Sequence, residues 1–163
     1  LISGGLGGLG LTFARWLAQQ GAGHLVLLGR STPSEQAQQV LRELKDDGVQ
    51  IEVVPVDVAQ REQVAVVLAH MAAEMPPLRG VIHAAGVLDD APLLQQSWER
   101  FTRVMAPKID GAWHLHTLTQ DLPLDFFAPV LPCWVHRRRV TTPRLTPFSM
   151  RWPTHGGRRG CRP

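Results

Sequence analysis

The chain has 163 residues, of which 44% are hydrophobic and 19% charged, which is the size and composition of one globular domain. No apolar run approaches the roughly 18 residues of a membrane span, and the first residues lack a signal pattern, so we expect a cytoplasmic chain without a membrane partner. Cys133 and Cys161 form no CxxC pair and no disulfide framework, which indicates a reducing compartment.

The net charge of +3 is the sum of two unlike parts. Residues 1–127 carry 9 Lys and Arg against 14 Asp and Glu, whereas residues 128–163 carry 8 Arg and no acid. The second part also holds 6 of the 13 prolines. The composition therefore changes at Phe127, and we expect a folded part over 1–127 followed by an irregular Arg- and Pro-rich tail over 128–163.

Leu1 and Ile2 begin the chain as if a strand had been cut in mid-course, so we expect a fragment of something longer. Strand-like apolar runs follow at 24–28, 51–55 and 80–83. Between them, helical stripes are formed by Ala37, Val40, Leu41 and Leu44 and by Val64, Val67, Leu68 and Met71. This alternation predicts an α/β fold with a doubly wound parallel sheet of the Rossmann type. We expect a fifth strand to start near Leu124 and to take in a few tail residues.

A glycine-rich segment lies between the first strand and a helix that contains Phe13, Ala14 and Leu17. Glycines let the backbone turn tightly and approach a pyrophosphate, whose charge is stabilised by the N-terminus of the helix. The order of strand, turn and helix favours a dinucleotide site over a merely flexible turn. The motif Gly-x-Gly-x-x-Gly lies within the candidate cofactor-binding residues Gly4, Gly5, Leu6, Gly7, Gly8, Leu9 and Gly10.

The residues after the second strand indicate which dinucleotide binds. An NAD site has an acid about 20 residues after the glycines, but this chain has Gly29, Arg30 and Ser31 there. A guanidinium suits a 2′-phosphate, so the predicted cofactor is NADP(H); a solvated surface arginine is the alternative. Asp57 ends the third strand and either accepts from the adenine amino group or caps the helix that begins near Arg61.

Four segments together resemble one family: Ser-Gly-Gly-Leu-Gly-Gly-Leu-Gly from Ser3, Gly-Arg-Ser from Gly29, Asp57-Val58, and His83-Ala84-Ala85-Gly86-Val87-Leu88-Asp89-Asp90. Residues 1–127 are similar to the ketoreductase domain of type I polyketide synthases, in the short-chain dehydrogenase/reductase superfamily. The ketoreductase of animal-type fatty acid synthases is a close second, and a non-catalytic NADP-binding or scaffold domain is a third interpretation.

The resemblance implies NADPH-dependent reduction of the β-keto group of an acyl chain carried as a thioester on an acyl carrier protein. It also implies contact with other domains of the same synthase. Asp57, Val58, Ala84, Ala85 and Gly86 would then contact the cofactor. The triplet Leu88, Asp89 and Asp90 is similar to the signature of the B-type stereochemical class; read by itself it is an acidic loop that does not fix the hydroxyl configuration.

Lys108 lies on a helical stripe formed by Phe101, Val104, Met105, Ala112 and Leu115. Burying a charged side chain on the inward face of a helix is costly, so the position of Lys108 needs an explanation. The resemblance supplies one, because the segment 107–113 matches Pro-Lys-x-Asp-Gly-Ala-Trp, whose lysine is catalytic: it lowers the pKa of a tyrosine that protonates the carbonyl oxygen. A lysine that snorkels at the helix edge is the alternative.

Among the seven histidines, His70, His83, His114 and His116 show no zinc-binding spacing, so we expect no metal.

The family pattern requires a Ser-rich strand end and then Tyr-x-x-x-Asn, but this chain contains no tyrosine. A shifted reading frame joins the third base of each codon to the first two bases of the next codon. From Val140 onward, codons for the given residues can encode Asn-Tyr-Ala-Ala-Ala-Asn in that frame, which resembles the family's Tyr-x-x-x-Asn. We therefore hypothesise that residues 128–163 are an out-of-frame translation of the active-site half. The rival is an Arg-rich nucleic-acid arm at 137–139 and 158–159. A nucleic-acid arm would not explain why another reading frame can encode ketoreductase sequence. We therefore expect no nucleic-acid partner.

Overall fold

The structure is a computed structural model that describes residues 1–130, in which β-strands alternate with α-helices. The strands are β1 (Ile2–Ser3), β2 (His24–Gly29), β3 (Gln50–Pro55), β4 (Gly80–His83) and β5 (Phe126–Pro129). The helices are α1 (Gly8–Gln19), α2 (Glu35–Asp46), α3 (Arg61–Glu74) and α4 (Trp98–Thr119), and a short 3₁₀ turn spans Leu93–Gln95.

The strands form one parallel sheet in the order β3-β2-β1-β4-β5. The central strand β1 pairs on both sides, with Ile2 opposite Leu27 of β2 and Ile82 of β4. The chain leaves β1 towards β2 and later returns to its other side at β4, so the winding direction reverses there. In open parallel sheets, ligands bind in the crevice at such a reversal. The predicted doubly wound parallel sheet is confirmed.

Helices cover both faces of the sheet, which explains why its strands are continuously apolar. On one face, Ile2, Leu27 and Ile82 belong to the cluster that contains the buried residues of α1 and α2. On the other face, Val26 and Val81 pack with the buried residues of α3 and with Leu115 of α4. The alternation of two apolar sets along each strand is what a two-sided core requires.

The helical stripes of α2 and α3 are placed as predicted. All four predicted residues of α2 are buried, and the Ser34 side chain caps this helix by accepting from the Ala37 N–H at 3.2 Å. In α3, the residues Val64, Val67 and Met71 are buried and Leu68 packs beside them. None of the helices within residues 1–130 has the length and apolarity of a membrane-spanning segment.

Helix α4 differs from the prediction at its first turns. Phe101 is 40% exposed and stacks on Trp98 at a centroid distance of 5.6 Å, so its assignment to the inward stripe is wrong. The buried face of α4 starts only at Val104, and the turns before it are mostly exposed. From there, the buried residues are Val104, Pro107, Lys108, Gly111, Leu115 and Thr119.

Strand β5 begins at Phe126, two residues after the predicted start, and ends at Pro129. It therefore takes in two residues of the predicted tail, as we expected, and pairs Ala128 with Ile82. The rest of the tail prediction, residues 131–163, lies outside the described residues.

Gly111 allows α4 to lie close to the sheet. A Cβ atom at this position would be 2.8 Å from Val58 Cγ2 and 3.3 Å from His83 Cε1. Such separations are below ordinary van der Waals contact. The absence of a side chain at Gly111 thus brings the helix that carries Lys108 against the end of β4.

We expect Gly111→Ala to lower the free energy of unfolding by about 1 kcal/mol. The overpacking cost of about 1–3 kcal/mol exceeds the gain of about 1 kcal/mol in helix propensity. Urea unfolding followed by circular dichroism measures the change. Gly23→Ala is the control, because within residues 1–130 no atom beyond the two chain neighbours lies within 4 Å of a Cβ built there. Unchanged or increased stability in Gly111→Ala would contradict the close packing of α4.

Candidate functional site

A cleft of about 400 Å³ lies at the carboxyl ends of the strands, where the sheet order reverses. Ten of the candidate residues line it: Gly4, Leu6, Gly7, Arg30, Ser31, Asp57, Val58, Ala84, Ala85 and Gly86. They come from four separate segments of the chain. The fold therefore brings most of the residues selected from sequence to one place.

The glycine turn after β1 packs tightly against the end of β4. Gly4 has φ +67°, and a Cβ on it would be 2.6 Å from the Ala84 carbonyl oxygen. A Cβ on Gly10 would overlap the Gly4 carbonyl, and one on Gly5 would be 2.7 Å from Leu27 Cβ. These three positions require glycine on steric grounds, as close backbone packing does.

The remaining residues of the glycine segment are less constrained. The Gly7 N–H donates to the Gly4 carbonyl at 3.1 Å, and the nearest contact of a Cβ on Gly7 would be 3.4 Å. Gly8 and Leu9 are exposed on the first turn of α1. Gly5, Gly8, Leu9 and Gly10 do not line the cleft, so the predicted set divides into residues that face the cleft and residues that shape the turn.

The N-terminus of α1 lacks the side-chain cap that α2 and α4 have. Its N-cap residue is Gly7 and its first turn contains no acid, whereas Ser34 and Ser97 cap α2 and α4. The first N–H groups of a helix have no acceptor within the helix. Together with the helix dipole, they make this end of α1 favourable for an anion.

Arg30 and Asp57 lie together at the rim of the cleft. The Arg30 guanidinium is 3.9 Å from Asp57 Oδ2, and both side chains are partly exposed, so their attraction is weak. Asp57 Oδ1 accepts from the Ala59 N–H at 3.0 Å, while the N-cap of α3 is Gln60. Of the two roles left open for Asp57, that of helix cap is not what the structure shows.

Lys108 lies under the end of β4. The residue is 7% exposed, and its Cε is 3.7 Å from the position of a Cβ on Gly86. Burial lowers the pKa of the Lys108 ammonium, and the negative charge of Asp90 opposes that shift. This burial does not fit a lysine that snorkels to water. Lys108 adjoins the segment 84–86 that lines the cleft.

His83 is a buried polar residue whose surroundings the sequence did not reveal. It is fully buried, and its Nδ1 is 2.6 Å from Ser3 Oγ, the residue opposite it in the pairing of β1 with β4. Its Nε2 has no hydrogen-bond partner among residues 1–130. Burial lowers the pKa of His83 to about 4, although the backbone of Pro107 and Lys108 opposes the shift.

Sequence reasoning also missed part of the cleft lining. All but Pro107, which lies inside α4, follow or flank the strand ends, so their position after each apolar run was the available signal. The missed residues are Leu28, Gly29, Thr32, Ser34, Val56, Val87 and Pro107.

The family model named KR domain matches residues 1–130 of the chain. The chain belongs to the KR domain family, the ketoreductases of polyketide synthases. The suspected resemblance to polyketide synthase ketoreductases is thereby confirmed. KR domains bind nicotinamide cofactors, which agrees with a glycine turn at a sheet crevice.

Among relatives, the KR domain is 45% identical over 129 residues to the phenolphthiocerol synthesis polyketide synthase type I Pks15/1 of Mycobacterium marinum. It is 43% identical over 127 residues to a mycocerosic acid synthase-like polyketide synthase of Mycobacterium tuberculosis. Each match covers 78% of this chain but only 6% of the relative. These relatives are named as polyketide synthases, and this chain spans only a small part of their length.

Two solved structures show the same fold. A ketoreductase domain from the bacillaene assembly line has a TM-score of 0.74 and 35% identity, and the match covers 77% of this KR domain and 30% of that chain. An A1-type ketoreductase has a TM-score of 0.69 and 42% identity, with coverage of 77% and 27%. The KR domain thus spans less than a third of the ketoreductases it resembles.

We expect the stability of the chain to fall as the pH is lowered from 6.5 towards 4. His83 titrates at about 4 when folded and near 6.5 when unfolded, so the unfolded chain binds more protons in that window. The lost stabilisation amounts to about 3 kcal/mol. Urea unfolding at several pH values measures the effect.

The control is His83→Gln, which keeps a polar partner for Ser3 and cannot titrate. All other titrating groups are the same in both proteins, so their contributions cancel in the difference. Equal pH dependence of the two proteins would show that His83 is not a buried neutral imidazole.

Proposed function

We propose that residues 1–130 are the NADPH-binding part of a ketoreductase that reduces the β-keto group of an acyl chain carried by an acyl carrier protein. The observation that carries the proposal is the convergence of the glycine turn, Arg30 and the segment 84–86 on one cleft. Family membership supports it. An animal-type fatty acid synthase reductase would have the same cofactor chemistry, but the relatives named above are polyketide synthases.

The residues present fit an NADP-type dinucleotide. The glycine turn leaves no side chain at Gly4 and Gly7 and presents the uncapped N-terminus of α1, which suits a pyrophosphate. Arg30 and Ser31 at the rim suit a 2′-phosphate, because a guanidinium matches phosphate oxygens in geometry and charge. Asp57 Oδ1 already accepts from Ala59, and Oδ2, which has only a weak 3.9 Å contact with Arg30, is the oxygen that would accept from an adenine amino group.

The reduction needs a hydride donor and a proton donor. When bound, the dinucleotide supplies the hydride that adds to the carbonyl carbon. The role proposed for Lys108 is to hold and polarise the group that protonates the carbonyl oxygen, because its ammonium is buried beside the segment that lines the cleft. In the family that group is a tyrosine, and this chain contains none. The 163-residue chain therefore lacks the proton donor on which Lys108 would act.

The frameshift hypothesis accounts for the missing tyrosine. The family match ends at residue 130, and the relatives match over 127 and 129 residues, close to the change of composition at Phe127. The residues after that point carry no acid and 8 arginines, unlike those before it. This coincidence supports a change of reading frame near codon 128.

A non-catalytic NADP-binding domain is the second candidate function. The absence of tyrosine favours it for the chain as printed. Sequencing the DNA around codons 125–130 separates the two candidates. If the reading frame is unshifted, the chain is a non-catalytic NADP-binding domain. If the frame is shifted, the chain is a ketoreductase that has lost its tyrosine.

We expect the chain to bind NADPH more tightly than NADH, and Arg30→Ala to remove most of that preference. A charge-assisted contact with the 2′-phosphate contributes about ten- to a hundredfold in affinity. Fluorescence titration measures both dissociation constants. Arg42→Ala, an exposed arginine on α2 outside the cleft, should keep the preference. Equal affinities before mutation would rule out the role of Arg30.

We expect that the 163-residue chain does not reduce a β-ketoacyl thioester. The product of the same gene, after one correction of the reading frame near codon 128, should reduce it. General acid catalysis alone contributes roughly a hundred- to ten-thousandfold, and a misplaced ketone adds to the loss. NADPH absorbance follows turnover. Consumption of NADPH by the printed chain with this substrate would disprove both the frameshift and the role of Lys108.

A further inference from the structure

The loop between β4 and α4 contains the triplet Leu88, Asp89 and Asp90, whose members have different surroundings. Leu88 is 73% exposed. The Asp89 side chain is only 14% exposed and is bound to two arginines of α4. Asp90 acts electrostatically on Lys108. From sequence, the three residues form one stereochemical signature or acidic loop, whereas these surroundings indicate separate tasks.

Asp89 makes its contacts with α4. The Arg103 Nη1 donates to Asp89 Oδ2 at 3.0 Å, and the Arg100 Nη2 is 3.5 Å from Asp89 Oδ1. Both carboxylate oxygens therefore face guanidinium groups that lie three residues apart on one side of the helix. A carboxylate that is mostly shielded from water and paired twice is held more firmly than an exposed single ion pair.

The same helix carries Lys108 five residues after Arg103, so the loop lies along three cationic positions of α4. At the start of the loop, a Cβ built on Gly86 would be 3.7 Å from Lys108 Cε, so the backbone there passes close to the lysine side chain. At the far end of the loop, the Gln96 side chain donates to the Ala91 carbonyl at 3.0 Å. Asp89 lies between these two fixed points and supplies the contact that ties the middle of the loop to the helix.

We propose that Asp89 is a positioning residue: through Arg100 and Arg103 it fixes the loop 86–91 against α4, so that the loop covers Lys108 and holds Asp90 beside it. The use of Lys108 in catalysis rests on the proposed function, but the anchoring of the loop does not. Without the anchor, the loop would open locally and expose Lys108 while the sheet and its core stay folded.

Lysine labelling tests the proposal on the 163-residue chain without any ligand. The chain has two lysines, Lys108 and Lys45, and Lys45 is exposed on α2, so it serves as an internal reference. We expect Asp89→Asn to raise the rate of reductive methylation of Lys108 relative to Lys45 by about three- to tenfold at constant pH. Mass spectrometry of the digested protein measures the ratio.

Two further variants separate anchoring from general destabilisation. Asp89→Glu keeps the charge and should restore most of the slow labelling. Asp125→Asn is the matched control, because Asp125 also binds an arginine, Arg79, through two hydrogen bonds of 2.7 and 3.0 Å, but at the amino ends of β4 and β5. The control should leave the labelling ratio unchanged, and Asp89→Asn should leave the thermal midpoint near that of the control.

The double-mutant cycle with Arg103→Gln identifies the contact. If Asp89 and Arg103 act through one interaction, the double variant should label no faster than the faster single variant. Additive effects, or an unchanged ratio in Asp89→Asn, would overturn the proposal. Because no nucleotide is used, failure of NADPH binding would reject the proposed function and leave this result standing.

Discussion

The close contact between the turn after β1 and the end of β4 is the constraint on which the site depends. Gly4 adopts a left-handed conformation, and the position of its missing Cβ is 2.6 Å from the Ala84 carbonyl. This contact sets where α1 begins and where the chain leaves β4. The segment 84–86 then passes beside the glycine turn on one side and Lys108 on the other. A side chain at Gly4 would separate the proposed phosphate site from Lys108.

The register of β1 against β4 has its own polar determinant just behind this contact. Ser3 and His83 are directly opposite each other, fully buried and joined at 2.6 Å. A shift of one residue between the strands would leave both polar groups buried without this partner, which is costly in a low-dielectric interior. The pair therefore favours the one register in which the Gly4 turn meets Ala84. The interior of the sheet and the cleft at its edge are thus specified together.

The sequence predicted those features that depend on local pattern, and missed those that depend on contacts between distant segments. Strands were found from apolar runs, and Arg30 and Asp57 from their positions after strands. Phe101 was misplaced because helical periodicity does not show where along a helix packing begins. The Ser3 and His83 pair is 80 residues apart in sequence, and no spacing rule connects them. The contacts of Asp89 with α4 were hidden for the same reason.

The ion pairs near the cleft differ in a way that fits their proposed tasks. The Arg30 and Asp57 side chains are 3.9 Å apart, and Arg30 is more than half exposed, so water already competes for this contact. An incoming phosphate would lose little by displacing it. The Asp89 carboxylate is 14% exposed and is engaged on both oxygens by arginines of α4. Water therefore competes less for that contact than for the one at Arg30. The rim of the cleft is therefore adaptable where an anion would bind, whereas the loop beside Lys108 is fixed.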